Sequence, residues 1–345
     1  MRRVDVLALK QLALDELVHE LKRGVGLGPV RAHASRASSS PPPPEHLAVG
    51  VAPSPDKDHY RLAVRLTAAA QASSPLVQRL KREAGRDLDL AMVGAIRAQP
   101  PSDVARAAHA TAARGAAQRR RQRPLAPGAS LAHLDVTAGT LGAVVRDRAR
   151  TRFLLSNNHV LAAVNQGRRG DAIVQPSPQD RGADARDRVA RLSRAVRLRP
   201  RGRGKNLVDA ALAALEPGID VHHTVNGRVL RGVRMRALPE LRVWKLGRTT
   251  GHTRGRITAV LLDEVEVSYE GGTVCVFDNQ LEIVGLRGAF STFGDSGSLV
   301  IDEQDRAVGL LFAGSDLGGP AGSGRSYAAP IGAVLGALDV TLACR

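Results

Sequence analysis

From Leu131 onward the chain consists of short apolar runs separated by glycine-rich turns, and this pattern restricts the fold more than any other feature of the sequence. Examples of such runs are residues 142–145, 153–155, 209–215 and 308–312. Runs of this length are typical of strands, and many short strands at regular spacing favour an all-β barrel or sandwich. Near the end, Pro330 opens an apolar stretch that predicts a helix over 330–338.

The first 97 residues follow a different pattern, which predicts a small α+β domain with the order α-β-β-α-β. Leucines on one helical face predict the first helix, and alternating apolar residues predict half-buried strands. The predicted elements are a helix over 5–22, strands over 47–52 and 60–66, a helix opened by Ser74 and Pro75, and a strand over 88–92. This domain holds no recognisable catalytic constellation, so we expect it to serve folding, docking or homo-oligomerisation.

Residues 98–130 are rich in alanine, arginine and proline, and they predict a basic linker before a second domain at 131–345. Residues 119–121 are three consecutive arginines. A solvated linker is the simpler interpretation of this run, and a site of proteolytic processing is the alternative.

The net charge of the chain is +17, and nearly all of its basic residues are arginine. Such a charge invites the hypothesis of a nucleic-acid partner, and the arginine-rich stretch 181–203 adds to it. Aromatic residues make up only 3% of the chain, and none alternate with the arginines as base-stacking platforms would. We therefore attribute the charge to arginine-biased codon usage in a GC-rich genome and expect no nucleic-acid partner.

The N-terminal residues lack the uninterrupted apolar segment of a signal peptide, and no apolar run is long enough to cross a membrane. The two cysteines, Cys275 and Cys344, allow at most one disulfide. Cys344 stands next to the C-terminus, so we expect two free thiols. These observations predict a cytoplasmic protein without membrane contact.

The clearest chemical motif is Gly-Asp-Ser-Gly-Ser at residues 294–298, followed by an apolar run. A nucleophilic serine needs a tight turn whose backbone N–H groups face the developing oxyanion. Glycine at 294 permits that backbone geometry, and Gly297 leaves the approach to Ser296 clear. Alone, a motif this short in a glycine-rich chain has low specificity.

Two further motifs supply the partners that a nucleophilic serine requires. The segment 156–161, which contains His159, follows the apolar run 153–155 directly and places a general base just past the end of a strand. Asp209 stands within an apolar run, which is costly unless the carboxylate is hydrogen-bonded or paired. Orienting and stabilising the imidazole of His159 would provide that partner.

The order of these three residues along the chain distinguishes between the known classes of serine hydrolase. His159, Asp209 and Ser296 are separated by 50 and 87 residues, in the chain order of chymotrypsin and not of subtilisin or the α/β-hydrolases. The sequence therefore predicts a His-Asp-Ser triad, with the backbone N–H groups of Gly294 and Ser296 as the oxyanion hole.

Residues 131–345 resemble the trypsin-like serine peptidases, and most closely their bacterial branch of streptogrisins and α-lytic protease. Besides the triad motifs, residues 247–259, Gly-Arg-Thr-Thr-Gly-His-Thr-Arg-Gly-Arg-Ile-Thr-Ala, are very similar to the hairpin that opens the second barrel in that branch. The resemblance implies an all-β double barrel of two closed six-stranded barrels, at about 131–235 and 240–328, with the triad in the cleft between them. The chain departs from the secreted relatives in lacking their cysteines and in having Ser298 where they usually have glycine.

The resemblance also implies substrate-binding positions. Phe290, six residues before Ser296, corresponds to the base of the primary specificity pocket, where an aspartate would select Arg or Lys. Arg325 corresponds to the pocket wall, where an inward guanidinium would favour acidic residues and an outward one leaves the apolar pocket that we favour. The strand expected to pair with the substrate backbone by β-addition contains Phe312, Ala313 and Gly314.

A buried aspartate precedes the nucleophile in this family. In animal zymogens an N-terminal ammonium released by cleavage pairs with it, and the chain has no corresponding N-terminal segment after its linker. The bacterial relatives use a basic residue just ahead of the second-barrel hairpin. The matching residue is Lys245, so we expect a Lys245–Asp295 ion pair, with Arg248 as the second candidate for the cation.

Together these features predict a serine endopeptidase that cleaves protein or peptide substrates through an acyl-enzyme, with an apolar or small residue before the scissile bond. No Cys/His cluster has zinc spacing and no phosphate-binding glycine loop is present in the sequence, so we expect no metal or cofactor. The alternatives are a catalytically weak binding protein on the same fold and a nucleic-acid-associated protein.

Overall fold

A computed structural model describes residues 1–25, 46–56, 58–98 and 115–343 of the chain. The part of the predicted linker from residue 99 to residue 114 lies outside the described residues, as does Cys344. Within the described residues, no helix is long and apolar enough to cross a membrane.

The described residues of the N-terminal unit form two α-helices and four strands, in an order that begins helix, strand, strand, helix, strand. Ser74 caps the second helix by accepting a hydrogen bond from the backbone N–H of Val77, and Pro75 occupies its first turn. The elements are α1 (Arg3–Val25), β1 (Ala48–Pro53), β2 (Tyr60–Leu66), α2 (Pro75–Ala84), β3 (Leu88–Met92) and β4 (Ile96–Arg97).

The following strands form a curled sheet, the first half of the β-domain. Its hydrogen-bonded core runs in the order β7-β8-β11-β10-β9-β5, with β6 beside β5. The strands are β5 (Ser130–His133), β6 (Gly139–Thr140), β7 (Ala143–Arg146), β8 (Arg152–Ser156), β9 (Ala172–Val174), β10 (Arg188–Ala195) and β11 (Ala211–Leu215). Two short helices interrupt them, α3 (Asn158–Leu161) and α4 (Asp184–Asp187).

The second half is a closed six-stranded barrel, in which β14 pairs with β15, β15 with β18, β18 with β21, β21 with β20, β20 with β19, and β19 again with β14. Its strands are β14 (Arg242–Gly247), β15 (Gly251–Asp263), β18 (Gln280–Gly285), β19 (Leu299–Asp302), β20 (Ala307–Ser315) and β21 (Ser326–Pro330). Smaller strands are β12 (Thr224–Val225), β13 (Arg228–Val229), β16 (Val265–Ser268), β17 (Val274–Phe277) and β22 (Thr341–Leu342), and the last helix is α5 (Ile331–Leu338).

This pairing is that of the chymotrypsin-like double barrel, so the predicted fold class is confirmed. The helix predicted over 330–338 is α5, which begins after Pro330. The first half departs from the implied six-stranded closure, because its hydrogen-bonded strands form a curled sheet.

The N-terminal unit shares its sheet with the second barrel. Strand β1 pairs antiparallel with the long strand β15, and β4 pairs with both β16 and β20. One buried apolar cluster also contains residues of both parts, including Leu17, Leu62, Leu80, Ile257 and Ile283. The unit is therefore packed into the protein as an extension of the second barrel.

The described end of the predicted linker, residues 115–130, packs against the first half of the β-domain. Leu125 and Ala129 are buried in the core cluster of that half. Two of the linker arginines have partners there, since Arg121 pairs with Asp187 and Arg123 donates to the side chain of Gln175. This segment has the composition of a linker but is packed, because these arginines extend over the surface while Leu125 and Ala129 enter the core.

Candidate active site

His159 and Asp209 come from neighbouring strands of the curled sheet. Strand β8 leads into the single helical turn α3 that carries His159, and Asp209 lies just before β11, which pairs with β8. The Nδ1 atom of His159 lies 2.5 Å from Oδ2 of Asp209, and both side chains are fully buried. Asn157 fixes the junction by donating to the backbone carbonyl of Asp209 over 2.7 Å.

A tyrosine that the sequence analysis missed completes the surroundings of Asp209. The hydroxyl of Tyr269 donates to Oδ2 of Asp209 over 2.9 Å, and its ring meets the ring of His159 edge-on at 5.7 Å. Burial, followed by the nearby Asp209 carboxylate, raises the pKa of Tyr269 well above its ordinary value, so it remains a hydrogen-bond donor. No local motif marks this residue, which is 60 positions from Asp209 in the chain.

The turn that carries Ser296 depends on glycine at two positions. Gly294 has a φ of 90°, and an added Cβ there would lie 2.5 Å from Oγ1 of Thr249. Gly297 has a φ of 92°, and an added Cβ there would lie 2.1 Å from Oγ of Ser156. Both positions therefore exclude any larger residue by backbone conformation and by space.

Asp295 is fully buried and accepts a dense set of donors. Its Oδ2 lies 3.2 Å from Nζ of Lys245, which is also fully buried. The backbone N–H groups of Thr249, Thr250 and Thr292 and the hydroxyl of Thr250 donate to the same carboxylate at 2.7–3.1 Å. The carboxylate is thus compensated within the folded chain, and the turn before Ser296 is fixed to the hairpin at 247–259.

Two features of the surroundings of Lys245 shift its pKa in opposite directions. Burial lowers the pKa of Lys245, and attraction to Asp295 acts in the opposite direction without reversing that shift. Arg248, the second candidate for this role, pairs instead with Asp180, to which its Nε and Nη2 atoms donate at 2.7 and 2.6 Å.

The hydroxyl of Ser296 contacts the backbone at the end of the N-terminal unit. The hydroxyl of Ser296 donates over 3.4 Å to the backbone carbonyl of Ala98, and Nε2 of His159 has no hydrogen-bond partner among the described residues. Strand β4, just before Ala98, pairs with Gly314 and Ser315 of β20. The strand expected to bind substrate backbone therefore binds the protein's own residues 96–97.

A pocket of about 570 Å³, partly open to solvent, lies beside Ser296. Arg325 lines it, with its side chain mostly buried, and so do Ala313 and Gly314 of β20. Phe290, expected at the base of this pocket, is not among the described residues that line it. Its neighbours Ala289 and Ser291 line the pocket instead, while the ring of Phe290 is buried in the barrel core beside Lys245.

Successive side chains of β20 also alternate between a buried position and the pocket. Phe312 is fully buried and packs against Phe277 with ring centroids 4.8 Å apart, while the flanking Leu311 and Ala313 line the pocket. Among the described residues, no group of three His, Cys, Asp or Glu side chains could hold a metal ion.

Solved structures with similar folds include bacterial proteases. Nocardiopsis protease is 17% identical, covers 63% of this chain and 98% of its own, and gives a TM-score of 0.45. Thermobifida fusca protease A is 16% identical, with 63% and 97% covered and a TM-score of 0.43. The α-lytic protease homologue N4 is 20% identical, with 63% and 98% covered and a TM-score of 0.44.

No family model matches the chain. One curated protein, Protein NARROW LEAF 1 of Oryza sativa subsp. japonica, is 37% identical over 78 residues. The matched stretch is 21% of this chain and 13% of that protein, so the chain spans only a small part of the length of this relative.

Proposed function

We propose that the protein is a serine endopeptidase with His159, Asp209 and Ser296 as its triad. The observation that carries this proposal is the 2.5 Å contact between Nδ1 of His159 and the buried carboxylate of Asp209. A carboxylate in that position holds the imidazole in one tautomer and stabilises the imidazolium that forms during acyl transfer. The serine of the proposed triad lies on a turn bounded by Gly294 and Gly297, whose φ angles are 90° and 92°.

In the proposed reaction, Nε2 of His159 takes the proton of the Ser296 hydroxyl as its oxygen attacks the scissile carbonyl carbon. The backbone N–H groups of Gly294 and Ser296 donate to the oxygen that gains negative charge. His159 then gives its proton to the leaving amine, which produces an acyl-enzyme. Water, deprotonated by the same histidine, cleaves this ester and restores Ser296.

The contacts that residues 96–98 make with β20 and Ser296 support a peptide as the substrate. Residues 96–97 add a strand to β20, and the following carbonyl, that of Ala98, reaches the hydroxyl of Ser296. This is the manner in which an extended peptide is bound by β-addition. We infer that a substrate displaces this segment and that Ser296 then turns from Ala98 towards Nε2 of His159, which has no hydrogen-bond partner among the described residues.

A fluorophosphonate probe tests the proposal, because it reacts with a serine only when a base activates it. We expect mass spectrometry to find the label on Ser296 in the wild type, and to find none in Ser296→Ala. The same pair should differ in the cleavage of a proteome-derived peptide library. A folded wild-type protein that neither takes the label nor cleaves any peptide would leave a binding protein on a protease fold.

A further inference from the structure

The pocket beside Ser296 contains buried donors that lack acceptors. Nε of Arg325 and Oγ of Ser323 are both buried without a hydrogen-bond partner among the described residues, and both residues line this pocket. Leaving a buried donor unpaired is costly, so such groups mark places where a ligand supplies the missing acceptor. A guanidinium next to a hydroxyl suits a carboxylate, which accepts hydrogen bonds and carries the opposite charge.

Arg325 forms an ion pair with Glu282. Its Nη1 atom donates to Oε1 of Glu282, a fully buried residue of β18. The same carboxylate accepts a hydrogen bond from the hydroxyl of Thr258 at 2.7 Å. If Glu282 had no other cationic partner, it would neutralise Arg325 and leave no excess charge for a ligand.

The second cation comes from the N-terminal unit. Arg65 of β2 is fully buried, and its Nε and Nη2 atoms donate to the two carboxylate oxygens of Glu282 at 2.7 and 3.0 Å. Arg65 also donates to the carboxylate of Asp89 at 2.7 Å. Asp89 in turn is shared with Arg61, so three arginines surround two carboxylates and one positive charge remains in excess.

We propose that this pocket selects an acidic side chain through Arg325, and that Arg65 of the N-terminal unit is a positioning residue that leaves Arg325 available by taking up the charge of Glu282. The inference rests on the proposed peptidase function and names the substrate class of the same site. It replaces the apolar preference favoured from the sequence. The specificity of the pocket then depends on a residue 217 positions from Glu282 in the chain, in a part of the protein outside the barrels.

One acidic group also lines this pocket. Asp316 is about half exposed and pairs with Arg97 of the segment that a substrate would displace. Water screens a carboxylate at that exposed position far more than it screens the mostly buried Arg325. We therefore expect Arg325, and not Asp316, to determine which substrate side chain the buried end of the pocket prefers.

The test compares two fluorogenic tetrapeptides that differ only in having Glu or Gln before the scissile bond, with the full-length protein. The displaced segment competes equally with both peptides, so the ratio of their kcat/KM values reports the pocket alone. A charge-assisted pair in a partly buried site predicts a Glu preference on the order of 10- to 100-fold. We expect Arg325→Met to bring the ratio near one.

The positioning role predicts opposite effects for the two partners. Arg65→Met should lower the ratio to within about threefold of one, because Glu282 then neutralises Arg325. Glu282→Gln should raise it, and Arg65→Met combined with Glu282→Gln should restore the wild-type ratio. Arg79→Met is the matched control, since Arg79 lies in the same N-terminal unit but pairs with Glu16 and Glu83, outside the Arg65–Glu282–Arg325 cluster, and it should leave the ratio unchanged.

If Arg65 is purely structural, Arg65→Met will change stability, but Arg65→Met and Glu282→Gln will not move the Glu-to-Gln ratio of kcat/KM in opposite directions. That result would overturn the proposal. If Arg65→Met does not fold, Glu282→Gln and the double variant still decide, because neither buries an unpaired charge of Glu282. Ser296-dependent cleavage with no preference for Glu would overturn the inference and leave the peptidase function standing. Absence of any Ser296-dependent cleavage would overturn both.

Discussion

The hydroxyl of Ser296 lies 3.4 Å from the backbone carbonyl of Ala98, although 198 positions separate the two residues in the chain. The contact is supported on both sides of the segment, because the N–H of Ala98 donates to the carbonyl of Ser268 at 3.1 Å and Arg97 pairs with Gly314. An added peptide must therefore replace an intramolecular strand before it reaches the proposed nucleophile, and the resting activity should depend on how firmly that strand is held.

Ala98→Pro should increase the rate at which a fluorophosphonate labels Ser296, by roughly fivefold to tenfold. Proline removes the N–H that binds Ser268 and so weakens the segment without altering the proposed triad. Ala98→Gly keeps that N–H and is the matched control, so its labelling rate should stay close to that of the wild type. Equal rates for all three proteins would mean that the segment does not limit access to Ser296.

Asp209→Asn should lower kcat by about 10⁴-fold while the protein remains folded, because an amide stabilises the wrong histidine tautomer. Tyr269→Phe removes one of the hydrogen bonds that Asp209 accepts and leaves the carboxylate on His159, so we expect a loss of only about tenfold. Peptide hydrolysis at saturating substrate, together with circular dichroism of each variant, checks both values. Similar losses in the two variants would place the tyrosine among the groups that the reaction requires.

Lys245→Met should destabilise the protein by about 3–5 kcal/mol, because it leaves the Asp295 carboxylate buried without a countercharge. Combining it with Asp295→Asn removes that charge and should recover most of the free energy of unfolding measured in urea. The double variant should still hydrolyse peptides slowly, since the turn carrying Ser296 loses its charged anchor. A stability of Lys245→Met equal to that of the wild type would show that the four hydrogen-bond donors around Asp295 compensate the charge without the lysine.

The sequence predicts best those features that a few adjacent residues determine. The turn around Ser296 follows from glycines at 294 and 297, whose backbone φ angles no larger residue adopts readily. The approach of His159 to Asp209 follows from two apolar strands, since β8 ends shortly before His159 and β11 begins shortly after Asp209, and these strands are antiparallel neighbours in the sheet. Local pattern and tertiary position agree here because antiparallel pairing brings the end of one strand beside the start of the other.

Contacts between distant parts of the chain could not be predicted in this way. Tyr269 and Ala98 reach the proposed triad through pairings that leave no periodic signal in their own segments. The family resemblance implies that Phe290 lies at the base of the pocket, whereas packing directs its large apolar ring into the barrel core. The sequence pattern places Arg65 on the polar face of a half-buried strand, and only the tertiary structure reveals that its guanidinium pairs with the carboxylate of Glu282.

Glu282 should make the stability of the protein depend on pH in the acid range. Burial by itself raises the pKa of this carboxyl, but attraction and hydrogen bonding to Arg65, followed by Arg325 and Thr258, outweigh burial and hold the pKa below its ordinary value of 4.5. The unfolded chain therefore takes up a proton at Glu282 at a higher pH than the folded chain does. The contribution of this group is present above about pH 4.5 and is lost as the pH falls through the folded-state pKa.

Urea unfolding between about pH 3 and pH 6 should accordingly show a shallower loss of stability for Glu282→Gln than for the wild type, because the variant has no proton to bind at this position. Glu240→Gln is the matched control. Glu240 pairs with Arg256 at the exposed surface, where an ion pair contributes little, so the slope of that variant should follow the wild type. Parallel slopes for all three proteins would mean that Arg65 and Arg325 do not lower the pKa of Glu282 in the folded state.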